Sequence, residues 1–341
     1  MRWSRCLGLV GVHAEGEIGK VITGGVIDVP GDSMLAKLRH LEEVDDSLRR
    51  FCLLEPRGGP NMSVNLLLPP CEPEADAGFI VMQPDRCHAM SGSNAICVTT
   101  ALLETGMLPL REPETLVTLD TAAGLVRARA RCGEGSCLSV TLDMPASFVE
   151  ALAVPVRVPG IGRVSLDVAF GGVFYALLDP ATLGLAVTPE AARALVETGM
   201  RILEAARREI VPEHPERPGI RGLAYLMWCG RDGEGPRNAT IMPPGRLDRS
   251  PCGTGSSARL ASMAARGEIA PGERLVFRST IGSRFEAEIA AVTEVAGRPA
   301  VCPRITGRAW IFSREEIGVD PRDPFPLGHS LSDIWGPGPL P

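Results

Sequence analysis

The sequence predicts an α+β protein made of two similar halves, and three observations carry this prediction. Strand-like runs outnumber helical runs along the chain. Each half has one helical run directly after a glycine-rich turn, the first at Ser91 and the second at Cys252. The two turns are 161 residues apart, since 252 − 91 = 161, and Gly106 and Gly267 end the two runs at the same offset. This spacing indicates an internal repeat of about one domain length.

The first half reads as several strands with one helix after its turn and an earlier helix before it. Residues 7–29 predict strand, turn and strand, and apolar residues three or four apart predict a helix over 34–51. Further strands are predicted at 64–68 and 77–83, and the run after Ser91 predicts a helix to residue 103. Residues 115–131 and 136–143 then predict a hairpin of strands.

The second half has the same composition of elements after a Val-, Gly- and Pro-rich crossing at 154–173. A helix is predicted over 189–209, with Thr188 as N-cap and Pro189 at the first helical position. Another helix starts at Ser256, and strands are predicted at 174–179, 223–229, 238–242, 274–279, 284–294 and 307–312. The predicted domains are 1–160, carrying Ser91, and 161–320, carrying Cys252, with a tail at 321–341 that packs back on the first half.

Composition excludes several functional classes. A chain of 341 residues is long enough for two domains, each with its own core. The net charge of −6 and the low aromatic content argue against a nucleic-acid partner, and no run approaches transmembrane length, so no membrane partner is expected. The first residues lack the sustained apolar core of a signal peptide. A protein of the cytoplasm follows as the expectation.

The ten cysteines favour neither disulfides nor a metal site. They are scattered and include no Cys-x-x-Cys pair, so a reduced protein is the simplest interpretation. Cys87 and His88 together could form part of a zinc site, but partners at metal spacing are missing, and a structural role is preferred. Cys132 and Cys137 bracket a glycine-rich turn and are predicted to be neighbours in a hairpin.

The turn at Cys252 suggests a reactive thiolate beside an anion site. Pro251 favours an extended approach, and Gly253 and Gly255 let the backbone bend and leave its amides uncovered. Cys252 is therefore predicted just before a helix N-terminus, a position that lowers the pKa of a thiol and offers several N–H groups to a carboxylate. The turn at Ser91 has the same layout. The alternative is that both are ordinary turns before helices.

These motifs carry a resemblance to a known family. The run from Asp248 to Gly255 resembles the second active-site motif of the proline racemase family, and Met90 to Asn94 resembles the first. Segments 12–17, 55–58 and 170–176 also resemble the family, so the likeness spans about residues 8–312. Two departures stand out: Ser91 replaces a cysteine, and Ser93 stands where racemases usually have histidine.

The resemblance implies a fold and a site. It implies two pseudo-symmetric domains of the diaminopimelate-epimerase-like kind, each a curved, mostly antiparallel sheet around a central helix, with the active site in the cleft between them. Ser91 and Cys252 would be catalytic, and no metal or organic cofactor would be needed. The substrate-binding residues would be Gly92, Ser93, Gly253 and Thr254, whose amides hold a carboxylate, with Asp248 on the substrate ammonium and His13 as a secondary candidate. Asp248 as a turn cap is an equally weighted alternative, and Ser93 is the candidate for reading the ring substituent.

The resemblance also implies a small imino acid as substrate. A thiol paired with a hydroxyl favours proton removal from one face, and elimination then competes with reprotonation if a hydroxyl can leave. We therefore expect dehydration of trans-3-hydroxy-L-proline to Δ1-pyrroline-2-carboxylate, the activity of a hydro-lyase. The alternative is 4-hydroxyproline 2-epimerase, alone or as a second activity, and proline racemase ranks third because of Ser91. The sequence does not reveal the oligomeric state, and a homodimer is the partner arrangement considered.

Two readings from other classes rank lower. Cys252 could be a hydrolytic nucleophile with His13, His88 or His214 as its base, but nothing in the sequence places a histidine within hydrogen-bond reach. The chain could also bind an imino acid without turning it over. An acyl-enzyme adduct would favour the first reading, and tight binding of pyrrole-2-carboxylate without isotope exchange would favour the second.

Overall fold

The computed structural model describes residues 3–335. Its strands are β1 Arg5–Ala14, β2 Glu17–Gly24, β3 Met62–Leu68, β4 Ala77–Met82, β5 Cys87–His88, β6 Glu114–Thr121, β7 Gly124–Gly133, β8 Ser136–Asp143, β9 Ser147–Val158, β10 Gly162–Phe170, β11 Phe174–Leu178, β12 Leu223–Asp232, β13 Gly235–Met242, β14 Arg246–Leu247, β15 Arg274–Arg278, β16 Arg284–Val295, β17 Arg298–Gly307 and β18 Ala309–Val319. Its α-helices are α1 Met34–Arg39, α2 Ser47–Leu53, α3 Gly92–Glu104, α4 Ala192–Glu209, α5 Gly253–Ala265 and α6 Ser332–Trp335.

The chain forms two compact units. The first contains the residues up to Leu142 and those from Gly307 onward, and the second contains Asp143–Thr306. This division differs from the boundary placed at 160/161 in the sequence. The reason is strand pairing: β9 pairs antiparallel with β10 in the second unit, whereas β18 pairs antiparallel with β1 along its whole length in the first.

The two units have the same order of strand pairings. In the first, β1 pairs antiparallel with β2, β2 parallel with β3, β3 antiparallel with β4, and β4 both antiparallel with β5 and parallel with β6, before antiparallel β7 and β8. In the second, β10 to β17 repeat this series with β13 in the place of β4. The predicted α+β fold with mostly antiparallel pairing is confirmed, and the duplication seen in residue spacing is also a duplication of topology.

In each unit, the helix that follows the glycine-rich turn packs on several strands. Helix α3 contacts β1, β2, β3, β7 and β18, and α5 contacts β9, β10, β11 and β16. Both helices have 13 residues and start at Gly92 and Gly253, at the predicted offset of 161. Nearly every side chain of both helices is buried. A helix that is apolar and small-residue-rich all round must be covered on every side, so these are the central helices of their units.

Several local predictions need correction. The helix predicted over 34–51 is divided into α1, a π-helical turn at His40–Val44, and α2. Helix α4 begins at Ala192 rather than at Pro189, and Thr188 is not its N-cap; the Thr188 Oγ1 accepts from the backbone N–H of Ala191 in the turn before it. Local propensity marks where a helix starts within a few residues only.

The carboxyl-terminal segment lies on the first unit as far as it is described. His329 forms an isolated bridge with Glu55, and the Trp335 Nε1 donates to the Glu55 Oε2 at 3.1 Å. Trp335 is 1% exposed. The rest of the predicted tail, 336–341, lies outside the described residues.

Residues 3–335 contain neither a helix that is long and apolar enough to span a membrane nor a cluster of three metal-ligating side chains. The ten cysteines are free thiols. Cys132 and Cys137 are paired neighbours in the β7–β8 hairpin, as predicted. A cytoplasmic location and a homodimer stay predictions.

Candidate functional site

The start of α5 is a rigid turn that holds Cys252. The Asp248 Oδ1 accepts from the backbone N–H and the hydroxyl of Ser250, both at 2.8 Å, and the Ser250 Oγ in turn accepts from the Cys252 N–H at 3.1 Å. Cys252 occupies the N-cap position with φ of 65°. A left-handed conformation costs a residue with a side chain about 1–3 kcal/mol, so the surrounding bonds must impose it. The turn therefore fixes the direction of one thiol.

The Cys252 thiol lies against a tyrosine. Its Sγ is 3.3 Å from the Tyr175 hydroxyl and 3.9 Å from the Thr254 Oγ1, and the two oxygens are 2.6 Å apart. Cys252 is only 6% exposed. Burial and the nearby Asp248 carboxylate raise the pKa of Cys252 to about 12, and the Tyr175 hydroxyl opposes this rise by donating to the thiolate.

This result corrects the prediction of a thiol with a lowered pKa. The position at a helix N-terminus was predicted rightly, but the dipole and amides stabilise the thiolate less than the loss of water destabilises it. Position relative to a helix is a local property, whereas burial depends on strands far away in the chain. Without a ligand, Cys252 is therefore a protonated thiol at neutral pH.

Ser91 occupies the corresponding N-cap of α3. Its Oγ accepts from the side-chain Nδ2 of Asn94 at 2.9 Å and from the backbone N–H of Asn94 at 3.5 Å. The Ser93 Oγ lies 3.3 Å from the Ser91 Oγ. Ser91 and Cys252 thus open the two central helices at equivalent positions, each in its own unit.

The residues predicted to hold a carboxylate are the first of each helix. Gly92 and Ser93 precede Ala95, whose N–H donates to the Ser91 carbonyl in the first intrahelical bond. Gly253 and Thr254 likewise precede Ser256, whose N–H donates to the Cys252 carbonyl. The first N–H groups of a helix have no acceptor within it and favour a negative charge. Their role in binding stays a prediction.

Asp248 and His13 both make contacts with neighbouring residues of their own unit. Asp248 makes the turn-capping bonds with Ser250, and it is 3% exposed. The His13 Nδ1 accepts from the Gly16 N–H at 3.2 Å, and its ring stacks on Trp310 with centroids 5.3 Å apart. A part in substrate binding stays a prediction for both.

The histidines considered for a hydrolase are engaged elsewhere. The His88 Nε2 lies 3.4 Å from the Asp85 Oδ1. His214 packs edge-on against Phe148 and Phe170, and its Nδ1 accepts from the Glu216 N–H at 3.2 Å. The Cys252 Sγ meets hydroxyl groups in its own unit instead.

Three residues at these helix starts were missed from the sequence: Tyr175 beside Cys252, and Asn94 and Asn65 beside Ser91. The Asn65 Nδ2 donates to the Asn94 Oδ1 at 2.8 Å. Tyr175 and Asn94 fall inside segments that resemble the family, and a tyrosine or asparagine in an otherwise apolar, small-residue run is the signal that could have marked them. Asn65 carries a similar signal as a polar residue within a strand of buried apolar ones.

Replacing Tyr175 tests how the thiol is tuned. In Tyr175→Phe the thiolate loses a hydrogen-bond donor, so its pKa rises further and alkylation of Cys252 by iodoacetamide at pH 9 slows by about tenfold. Residue-resolved mass spectrometry measures this rate. Tyr225→Phe is the matched control, because its ring lies 5.6 Å from that of Tyr175 and Tyr175 makes the contact with the thiol. Equal rates in both variants would show that the tyrosine hydroxyl does not tune Cys252.

The chain is similar to known proteins over nearly its whole length. The profile of the Proline racemase family matches residues 9–330. A protein of Rhizobium etli named 4-hydroxyproline 2-epimerase is 52% identical over 99% of both chains. A protein of the same name from Agrobacterium fabrum is 50% identical over 99% of both chains. A crystal structure of a hydroxyproline epimerase from Agrobacterium vitis with bound trans-4-hydroxy-L-proline has a TM-score of 0.95, 50% identity and 99% coverage of both chains.

These relatives overturn the expected activity. The leading expectation was a hydro-lyase that dehydrates trans-3-hydroxy-L-proline, and this expectation is wrong, because the similar proteins are epimerases of 4-hydroxyproline. Both reactions start with loss of the Cα proton. They diverge with the position of the ring hydroxyl, which is β to the carbanion in the 3-hydroxy substrate and γ in the 4-hydroxy substrate. A γ-hydroxyl cannot leave in the same step, so the carbanion is reprotonated.

The family match covers most of the chain, and the relatives share half of its residues over nearly their whole length. The two motifs that carry the resemblance stand at equivalent helix starts in the structure. The chain is an enzyme of the proline racemase family.

Proposed function

We propose that this protein is a 4-hydroxyproline 2-epimerase, interconverting trans-4-hydroxy-L-proline and cis-4-hydroxy-D-proline. One observation carries the proposal: a thiol and a hydroxyl, Cys252 and Ser91, open the duplicated central helices of a chain half identical to enzymes of that name. Epimerisation needs one group that takes the Cα proton and another that returns a proton to the opposite face. Two such groups at equivalent positions suit that task.

The helix starts would stabilise the negative charge of the intermediate. The substrate carboxylate would accept from the first amides of α3 and α5, those of Gly92, Ser93, Gly253 and Thr254. As the Cα proton leaves, charge moves onto this carboxylate, and fixed N–H donors strengthen their bonds to it. Preorganised donors of this kind stabilise an anionic transition state by about 2.7–4 kcal/mol each. Such a site needs no organic cofactor to stabilise the carbanion.

Asp248 would couple substrate binding to ionisation of Cys252. Its carboxylate is the second cause of the raised thiol pKa, after burial. A substrate carries a cationic ring nitrogen, and this cation beside Asp248 would offset the negative charge that the thiol experiences. The pKa of Cys252 therefore falls when substrate binds, and the base forms when it is needed.

The Asp248→Asn variant tests this coupling by two readouts that move in opposite senses. Loss of the carboxylate lowers the pKa of Cys252, so alkylation of the ligand-free thiol at pH 8 becomes faster. Loss of the partner for the substrate cation raises KM about 10- to 100-fold. The amide retains an oxygen that can accept from Ser250, so the turn is conserved. A variant with slower alkylation, or with an unchanged KM, contradicts the coupling.

The reaction itself is tested in D2O by proton NMR. Incubation with trans-4-hydroxy-L-proline should give cis-4-hydroxy-D-proline with deuterium at C2, and incubation with trans-3-hydroxy-L-proline should give no Δ1-pyrroline-2-carboxylate. L-Proline serves as a third substrate and tests how far the 4-hydroxyl is recognised. Recovery of unlabelled trans-4-hydroxy-L-proline after long incubation would refute the proposal.

A further inference from the structure

Asn94 holds the Ser91 hydroxyl through two N–H donors. Asn94 directs both its Nδ2, at 2.9 Å, and its backbone N–H, at 3.5 Å, to the Ser91 Oγ. Donors to this oxygen occupy its lone pairs, so the hydroxyl proton must point away from Asn94. They also favour the ionised oxygen over the neutral hydroxyl, because a hydrogen bond to the charged form stabilises that form.

The orientation of the Asn94 amide is dictated from the backbone. The Asn65 Nδ2 lies 3.3 Å from the Lys20 carbonyl oxygen and 2.8 Å from the Asn94 Oδ1. A backbone carbonyl can only accept, so the Asn65 atom beside it must be the NH2 group. Asn94 must then present its oxygen to Asn65 and its NH2 group to Ser91. Both asparagines are buried, at 0% and 2% exposed, so water does not compete for these bonds.

The neighbouring strand leaves space for this pair. Gly19 on β2 faces it, and a Cβ at Gly19 would lie 2.6 Å from the Asn94 Oδ1 and 3.1 Å from the Asn65 Nδ2. Any larger residue would push the two amides apart. Gly19 is thus part of the same arrangement.

The second unit holds its reacting atom differently. Gly255 stands 161 residues after Asn94, since 255 − 94 = 161, and a Cβ there would lie 3.1 Å from the Cys252 Sγ and 3.2 Å from the Tyr175 Cε1. The helix position that carries the donor in the first unit is therefore empty of side chain in the second. The donor to sulfur comes from Tyr175 on β11 instead. Asn94 on α3 donates to Ser91, whereas Tyr175 on β11 lies against Cys252, so the two units use different elements for this contact.

We propose that Asn94 and Asn65 are positioning residues that make Ser91 an effective proton donor and acceptor. This inference rests on the proposed epimerisation. Ser91 transfers its O–H proton to the Cα carbanion, a C–H bond forms as the O–H bond breaks, and the charge left on Oγ is stabilised by the two N–H groups of Asn94. In the reverse direction the same oxygen takes the Cα proton. A serine hydroxyl ionises with difficulty, and the hydrogen bonds from Asn94 stabilise its ionised form.

The Asn65→Asp variant tests the chain of hydrogen bonds from Asn65 through Asn94 to Ser91, and it leaves Ser91 itself unchanged. A carboxylate cannot donate to the Asn94 oxygen, so the Asn94 amide turns its NH2 group toward residue 65 and its oxygen toward Ser91. We expect kcat to fall about 10- to 100-fold with KM within about twofold, because the substrate contacts are unchanged. Asn65→Ser, which keeps a donor, should recover part of the rate. Loss of affinity in place of turnover, or no recovery with serine, would overturn the inference.

Thr99→Val is the matched control for general damage to α3. Thr99 is 0% exposed and its hydroxyl donates to the Ala95 carbonyl at 2.8 Å within the helix. This variant loses a hydrogen bond that is as deeply buried as that of Asn65, but it leaves the contacts of Ser91 unchanged. We expect kcat and KM within about twofold of the wild type. A fall in kcat as large as that of Asn65→Asp would mean that helix damage alone explains the effect.

A second test is independent of activity. In Ser91→Cys, alkylation followed by residue-resolved mass spectrometry gives the pKa of the thiol introduced at position 91. Adding Asn94→Ala removes its donor, and the midpoint of the alkylation profile should move up by about one pH unit. An unchanged midpoint overturns the positioning role. Absence of epimerisation by the wild type would refute the proposed function and leave this result standing, so the two failures are distinguishable.

Discussion

Replacing Cys252 with alanine is expected to reduce kcat for 4-hydroxyproline epimerisation by about 100- to 10,000-fold, the contribution typical of a positioned acid or base. The variant keeps the two helix starts and therefore the main-chain donors proposed for the carboxylate. KM should stay within a few-fold of the wild-type value, because the sulfur acts on the Cα proton and binds no charged part of the substrate. Steady-state polarimetry with both epimers measures both constants.

Cys229→Ala separates this loss from any general effect of removing a cysteine sulfur from this unit. Cys229 lies in the same unit on β12, burial raises its pKa to about 11, and its thiol donates to the Met227 carbonyl rather than lying at a helix start. Its alanine variant should retain kcat within about twofold. If Cys252→Ala retained turnover like this control, the thiol would have no part in the reaction.

The position of Cys252 was predictable from sequence, but its ionisation was not. Proline, two glycines and an apolar run are neighbours in the chain, so the turn and the helix start follow from local rules. The burial that raises the thiol pKa comes from strands distant in sequence, and the Tyr175 hydroxyl that opposes the rise is 77 residues away. Such packing depends on the folded topology, which residue spacing indicated only as a repeat.

The partners of Ser91 illustrate the same limit. The Ser91 N-cap and the 161-residue offset could be read from neighbouring residues. Asn65 reaches Asn94 from β3, and the orientation of its amide depends on a carbonyl of β2. Strands β2 and β3 and helix α3 must therefore be assembled before Asn94 is oriented toward Ser91. The choice between elimination and epimerisation depends on where the substrate carries its hydroxyl, a property of the ligand that no residue of the motifs encodes directly.

Replacing Ser91 with alanine is expected to reduce kcat about 100- to 10,000-fold. The epimer whose Cα proton exchanges with solvent should differ between Ser91→Ala and Cys252→Ala. If the hydroxyl and the thiol serve opposite faces of Cα, each variant retains the group for one face only. One variant should then exchange the Cα proton of the L-epimer for deuterium without inversion, and the other should do so for the D-epimer. Proton NMR of each epimer in D2O measures exchange and inversion together.

Stability must be followed in the same Ser91→Ala sample, because Ser91 also caps α3. Loss of an N-cap costs about 0.5–2 kcal/mol of folding free energy, which lowers the melting temperature but not the catalytic constant of the molecules that remain folded. Ser91→Thr keeps a capping oxygen and a hydroxyl and is the matched variant. Exchange of the same epimer by Ser91→Ala and Cys252→Ala would place both groups on one face and contradict the two-sided mechanism, because inversion requires proton removal and proton return on opposite sides of Cα.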